Sequence, residues 1–279
     1  MKVTDVLKEV TLVLREAGLE EPGREAMALV REIAGLEPAT ILAHAPELSE
    51  HVLENVLEAA RRRAAHEPIQ YITGNVEFMD MVLRVGPGVL VPRPETELMI
   101  EEFYRLFPDT EARLNVLDLC TGSGCIALAI ASHYPDAKVT ATDVSKRALA
   151  YALENAEHLG ISNVDFLEGS LYTPLREEAF DVIVSNPPYI PAGEISSLMP
   201  EVSIYEPRSA LDGGPDGLNF YRAIIKEAKA YLKPGGYLIF ELGAGQRASV
   251  EAMALERGFS LTGVVKDPAG YERVLVLSR

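Results

Sequence analysis

From residue 114 to its C-terminal end the chain alternates short apolar runs with longer amphipathic ones, and this rhythm narrows the possible folds more than any other feature. Strand candidates fall at 114–118, 137–142, 163–167, 180–185, 236–241, 258–265 and 271–278. Helical spacing occupies most of the intervals, at about 124–134, 145–158, 217–232 and 244–257. A βαβα succession predicts a parallel sheet with helices on both faces. The last two strands break the rhythm, because only Lys266-Asp267-Pro268-Ala269-Gly270 separates them. So short a connection holds no crossover helix, and the two strands must pair antiparallel. The expected fold is α/β, with a seven-stranded sheet ending in an antiparallel strand. That arrangement tells against an ordinary dinucleotide-binding sheet.

Upstream the character differs. Residues 1 to about 66 read as helices only, with Val3, Val6, Leu7, Val10 and Leu14 at helical spacing and Gly18 beyond them. Pro22 opens a second helix that Gly35 stops, Pro38 begins a short third, and Ser49 caps a fourth running to Arg61-Arg62-Arg63. Those arginines read as a solvated last turn, where cations suit the helix dipole, with a docking patch as the alternative. Asn75 to Met79 and Met81 to Val85 flank a turn at Asp80 and predict a β-hairpin. Gly86-Pro87-Gly88 and Pro92-Arg93-Pro94 then impose a stiff, extended linker. The expected organisation is a small helical domain over 1–73, a β-hairpin linker over 74–95 and the α/β domain over 96–279.

Composition limits the function classes. With 48% hydrophobic and 24% charged residues the chain reads as an ordinary globular protein. Its formal net charge of −16 opposes nonspecific attraction to nucleic acid and anionic membranes, and would favour a basic partner. No apolar run approaches a membrane span, and the N-terminus lacks a signal-peptide core. The two cysteines, Cys120 and Cys125, make neither a disulfide framework nor a zinc set, so a reducing cytoplasm and no metal are expected. The five histidines are scattered and read as surface or packing residues.

Asn186-Pro187-Pro188-Tyr189 follows the strand 180–185. Two prolines fix φ and stiffen the loop, so its carbonyl directions are set. An Asn side-chain oxygen and a rigid backbone carbonyl can grip a planar NH2 group, and Tyr189 offers a flat face beside them. Upstream, a strand from Asn115 to Asp118 passes through Cys120-Thr121-Gly122-Ser123-Gly124 into a helix. Such a turn lets backbone approach a ligand at a helix N-terminus. Gly122-x-Gly124-x-x-Ala127 equally fits the dinucleotide fingerprint, so the glycines alone do not choose the ligand. Asp143, at the end of the second strand, suits a pair of ribose hydroxyls or the start of the next helix. In a doubly wound sheet Asp118, Asp143, Gly169-Ser170-Leu171 and Asn186 all reach the carboxyl edge together.

With those residues assembled, the chain resembles the Rossmann-like class I methyltransferases that use S-adenosylmethionine. More narrowly it resembles the protein-(glutamine-N5) methyltransferases that modify peptide chain release factors. The resemblance covers nearly the whole length and includes Pro68 to Gly74, Gly86 to Glu97, the Asp118 loop, Asn-Pro-Pro-Tyr and Tyr205 to Leu218. It departs at Cys120, where that family more often has glycine. The resemblance implies that Asp118 and Cys120 to Gly124 wrap the methionine part of the cofactor, that Asp143 holds its ribose and that Ser170 and Leu171 border the adenine. It places Asn186 beside the methyl group and gives Asn186, Pro187, Pro188 and Tyr189 the grip on a substrate glutamine. Arg93, Thr96 and Glu97 would close over the cofactor, or else be a helix cap and a surface arginine. The rivals are methylation of an adenine or guanine amino group, which uses the same tetrapeptide, an NAD-dependent dehydrogenase, and a binding protein without turnover.

Overall fold

The computed structural model describes residues 1–176 and 178–279, residue 42 by its backbone alone. Backbone contacts divide these into two units, one of residues 1–75 with 199–205 and one of 76–198 with 206–279.

The first unit is built on helices α1 (Val3–Glu16), α2 (Pro22–Ala34), α3 (Pro38–His44), α4 (Glu50–Ala64) and the short α5 (Ile69–Thr73). On α1, Val3, Val6, Val10 and Leu14 form one stripe with no exposed surface, packed with Leu29, Val30, Val56 and Ala60 of α2 and α4. Burying such a side chain contributes up to about 1.5–3 kcal/mol, which is enough to hold helices that are marginal alone. Pro22 occupies the first turn of α2, and Gly35 closes it in the left-handed region with φ 62°. Ser49 accepts from the Val52 amide at the start of α4. The sequence did not signal α5.

The arginine run is a correction. Arg61 is exposed and paired with Glu58, and Arg62 is paired with Glu67. Arg63 instead lies on the buried face with Val56, Ala59 and Ala60. There it donates to Glu25 and, at 2.9 Å, to Glu201. Helical periodicity carries it inward, and the two carboxylates neutralise it. Glu201 also meets His66 Nδ1 at 3.1 Å, and the Tyr205 hydroxyl donates to the Ala65 carbonyl at 2.8 Å. These contacts fasten segment 199–205 to the helices.

The second unit opens with a hairpin, β1 (Asn75–Phe78) and β2 (Met81–Arg84), followed by α6 (Pro94–Leu106). α6 starts at Pro94 because proline suits the first helical position, four residues before the apolar periodicity begins at Leu98. The main elements are β3 (Asn115–Leu119), α7 (Cys125–His133), β4 (Lys138–Asp143), α8 (Lys146–Leu159), β5 (Val164–Glu168), β6 (Phe180–Ser185), α9 (Asn219–Tyr231), β7 (Leu232–Glu241), α10 (Arg247–Glu256), β8 (Ser260–Lys266) and β9 (Glu272–Ser278). The seven-stranded sheet runs β5-β4-β3-β6-β7-β9-β8, and β9 is antiparallel to both its neighbours, as the short final connection requires. β7 begins at Leu232, earlier than expected, because Leu232 pairs with Phe180 across a register shift. Neighbouring residues feed opposite cores: Val116 and Val182 face one layer, Leu117 and Ile183 the other. Central strands covered on both faces therefore read as unbroken apolar runs. Among the described residues no helix is long and apolar enough to cross a membrane.

Replacing Arg63 with Ala would strand two carboxylates. The expected loss is roughly 2–3 kcal/mol, below the range for a fully buried pair because Glu25 and Glu201 keep part of their hydration. Denaturant unfolding followed through the helical signal measures it, and an unchanged midpoint would contradict the assignment.

Candidate functional site

β3 and β6 are adjacent and parallel, with Leu119 beside Ser185. After these residues the chain leaves in opposite directions, towards β4 through α7 and towards β7 through α9. That is a switch point of the sheet, where open α/β folds place ligands. A cleft of about 890 Å³, counting its open mouth, lies there. Of the residues singled out from the sequence, Cys120, Thr121, Gly122, Ser123, Asp143, Ser170, Leu171, Asn186 and Pro188 line it, together with Arg93 and Thr96. Asp118, Gly124, Pro187, Tyr189 and Glu97 stand outside that wall.

The glycine-rich turn has two kinds of glycine. Gly122 has φ 58°, and a Cβ there would meet only Val89, at an ordinary contact distance of 3.9 Å. Gly124 has φ 83°, and its Cβ would come within 3.1 Å of Ala152 on α8. Gly122 keeps the cleft floor bare; Gly124 lets the turn rest on α8. Cys120 adopts φ 64° without being glycine, an uncommon conformation for a side chain with a Cβ. Burial pushes its thiol well above the ordinary value, and pushes Cys125 up to about 12, so neither is a ready thiolate.

Asp118 supports the turn from beneath. Its carboxyl is fully buried, Oδ2 accepts from the Thr121 hydroxyl at 2.5 Å, and Oδ1 has no partner. Burial raises its pKa to about 7, against the opposing Thr121 hydrogen bond. Asp143 accepts from the Ser145 amide at 2.8 Å and the Gly122 amide at 2.9 Å. It therefore joins the start of α8 to the glycine turn while lining the cleft; Ser145 itself is the cap of α8. Burial raises the Asp143 pKa despite these amides.

Asn186 lies at the end of β6. Its Nδ2 donates to Thr96 Oγ1 at 3.2 Å, and the Thr96 hydroxyl donates to Glu241 Oε2 at 2.6 Å. The Tyr189 hydroxyl donates to the other oxygen, Oε1, at 3.2 Å. Asn186 Oδ1 and the Pro187 carbonyl accept from no donor among the described residues. The Tyr189 carbonyl takes an amide hydrogen of Gln246 at 2.8 Å. Gly217 lies against the same loop, since a Cβ on it would fall 2.3 Å from the Tyr189 oxygen. The loop is thus stiffened by its prolines and held from behind.

Three side chains that shape the site went unread in the sequence. Glu241 ends β7 as a single acid after an apolar strand, with nothing local to mark it. Asn155 on α8 is wholly buried; its amide donates to the Arg84 and Ser123 carbonyls and its oxygen accepts from the Arg84 amide. It ties the hairpin to the glycine turn. Glu206 takes Arg93 at 2.5 Å and the Val91 amide at 3.3 Å, joining two segments of the cleft rim. Glu97 points away from the cleft and accepts the Met79 amide at 2.6 Å, steadying the hairpin turn.

Comparison with known proteins follows the same division. Residues 5–74 match the model of the PrmC N-terminal domain, and residues 95–214 match the Methyltransferase small domain. The release factor glutamine methyltransferase of Thermodesulfovibrio yellowstonii is 42% identical over 92% of this chain and 92% of its own length. The chain belongs to the release factor glutamine methyltransferase family. The Geobacter sulfurreducens member is 44% identical over 94% of this chain and 91% of its own. The crystal structure of a methyltransferase from Pyrococcus furiosus shares the fold, with a TM-score of 0.54 at 23% identity over 78% of this chain and 98% of that one.

The cofactor of this family is S-adenosylmethionine, and the residues here fit it. The bare Gly122 floor admits a ligand against the backbone, the Asp143 carboxylate is an acceptor for hydroxyl groups, and Leu171 supplies an apolar wall.

Asp118 also gives a pH signature. Its folded pKa, about 7, is raised above the unfolded value near 4, so the stability it contributes is fully present below pH 4 and is lost as pH rises through 7. In Asp118→Asn the fall in stability between about pH 4 and 7 should flatten. Denaturant unfolding across that window tests this, and a profile identical to wild type would contradict it.

Proposed function

We propose that this protein methylates the side-chain amide nitrogen of a glutamine in a peptide chain release factor. The observation that carries the reading is a pair of oxygens that accept from no described donor, Asn186 Oδ1 on the cleft wall and the Pro187 carbonyl beside it, on a loop held rigid by its prolines.

S-adenosylmethionine, when bound, supplies the electrophilic methyl group. The residues that would hold it are Cys120 to Gly124 for the methionine part, Asp143 for the ribose, and Ser170 with Leu171 for the adenine, over the buried Asp118. The chain's own task is to present a poor nucleophile. An amide nitrogen is weak because its lone pair is delocalised into the carbonyl. Asn186 Oδ1 and the Pro187 oxygen each accept one N–H of the glutamine, which fixes the plane of the NH2 group and raises electron density on nitrogen. Tyr189 offers its ring to the flat carboxamide. This is orientation and electrostatics, with reacting atoms brought to roughly 3–3.5 Å. A base is unnecessary before attack, since the amide is neutral, and the surplus proton afterwards leaves to water.

The helical residues 1–73, ahead of the linker over 74–95 and the catalytic residues 96–279, are the part we assign to recognising the release factor. The −16 charge favours a basic partner surface and disfavours direct binding to nucleic acid or to anionic membranes. Its substrate places the enzyme's work in the cytoplasm. The same charge weighs against the amino-methylation of nucleic-acid bases, which would call for a basic groove.

Incubating the protein with purified release factor and S-adenosylmethionine should add about 14 daltons, one methylene, to a single glutamine; an unmodified factor would remove the reading. Asn186→Ala should lower kcat far more than it weakens cofactor binding, whereas equal losses would contradict the role given to Asn186. Raising the salt concentration should raise the KM for release factor strongly, because screening weakens attraction between the charged surfaces. A KM indifferent to salt would exclude electrostatic capture.

A further inference from the structure

We infer that Glu241 is a positioning residue: acting through the Thr96 hydroxyl, it dictates which way round the Asn186 amide points and hence which atom the acceptor nitrogen meets. The inference rests on the glutamine-methylation reading for its consequence, though not for its geometry.

The argument is one of proton inventory. The Thr96 hydroxyl has a single hydrogen, and it stands 2.6 Å from Glu241 Oε2, an oxygen of an acceptor-only group when ionised. While Glu241 is ionised that hydrogen is committed, and Thr96 Oγ1 can only accept; a proton on Oε2 would release it. Asn186 lies 3.2 Å away on its other side and must therefore present Nδ2 to it. Its oxygen is left to face the cleft. The orientation follows from hydrogen-bond logic and does not depend on telling nitrogen from oxygen in coordinates. Were Thr96 free to turn its hydrogen towards Asn186, the amide could rotate and offer Nδ2 to the cleft. Two donors would then confront the NH2 of a glutamine, and the grip would fail.

Glu241 is placed for this task and little else. It is 2% exposed and stands behind Thr96, outside the residues that line the cleft. Its two oxygens serve the two ends of one loop, Oε2 through Thr96 to Asn186 and Oε1 directly to the Tyr189 hydroxyl at 3.2 Å. Its backbone is fixed independently, since the Tyr221 hydroxyl donates to its carbonyl at 2.9 Å and β7 pairs it with Val274 of β9. A buried carboxyl with two hydroxyl donors is costly to maintain unless both donors are needed.

The test uses the full-length protein and intact release factor, with Thr96→Val, Thr96→Ser and Glu241→Gln made in wild type and in Asn186→Ala. Thr96→Val should lower kcat on the order of 100-fold, the penalty of a misplaced reacting group. The KM for release factor should stay close to wild type, and Thr96→Ser should recover most of the rate. Glu241→Gln should also lower kcat, because one hydroxyl must then accept from the new NH2 group. In Asn186→Ala neither Thr96→Val nor Glu241→Gln should cost more, since the group they orient is gone. Independently of turnover, the Asn186 side-chain NH2, identified by its absence in Asn186→Ala, should exchange with solvent faster in Thr96→Val than in wild type. Equal losses with and without Asn186, or a Thr96→Val enzyme with wild-type turnover and wild-type exchange, would overturn the inference. Should wild type itself fail to methylate release factor, the functional reading falls, and the exchange measurement alone decides the positioning.

Discussion

The hydrogen bond from Ser185 to the Leu119 carbonyl, 2.8 Å long and out of reach of water, holds together the two strand ends on which the site is built. Strands β3 and β6 are parallel and in register to their last residues, so the glycine turn after one and the Asn-Pro-Pro-Tyr loop after the other start side by side. Parallel pairing makes this possible, because it sends both chains out of the same edge of the sheet. The crossovers then take the loops apart, and the space between them is the cleft. A slip of one residue would turn the side chains of the slipped strand to the opposite faces of the sheet, and the two buried cores on either side disfavour it.

Beneath that edge the protein keeps carboxyl groups in places that disfavour their charge. Asp118 and Glu241 are both pushed to about 7 by burial, each against hydroxyl hydrogen bonds that pull the other way. The two differ in what they leave open. Asp118 retains an oxygen without a partner below the glycine turn, whereas Glu241 spends its two oxygens on the Thr96 and Tyr189 hydroxyls. Glu206 makes a third case at the rim, where Arg93 offsets part of the cost of burial. The glycine turn, the Asn-Pro-Pro-Tyr loop and the rim are thus each organised around one desolvated acid.

Much of this was legible in the sequence, and for identifiable reasons. The strands are apolar on both faces, so their runs stand out, and the five-residue connection before β9 leaves antiparallel pairing as the only choice. The residues singled out from sequence that line the cleft are clustered at strand ends, where glycines, prolines and an Asn mark a loop. What stayed hidden depends on distant partners. Thr96 and Glu241 are 145 residues apart, Arg93 and Glu206 113, and Arg84 and Asn155 71. A lone acid ending a strand or a lone Asn within a helix looks like ordinary surface until the fold brings its partner. Arg63 was misread for a related cause: three consecutive arginines look solvated, but a helix turns about 100° per residue and carries one of them inside.

The central claim is that Asn186 Oδ1 and the Pro187 carbonyl hold a carboxamide between them. Its most direct test is a crystal structure of the protein with S-adenosylhomocysteine and a glutamine peptide taken from a release factor. The account predicts the glutamine nitrogen within hydrogen-bond distance, roughly 2.7–3.2 Å, of both oxygens, with Asn186 Nδ2 still on Thr96. A glutamine bound elsewhere in the cleft, or held by other groups, would contradict it.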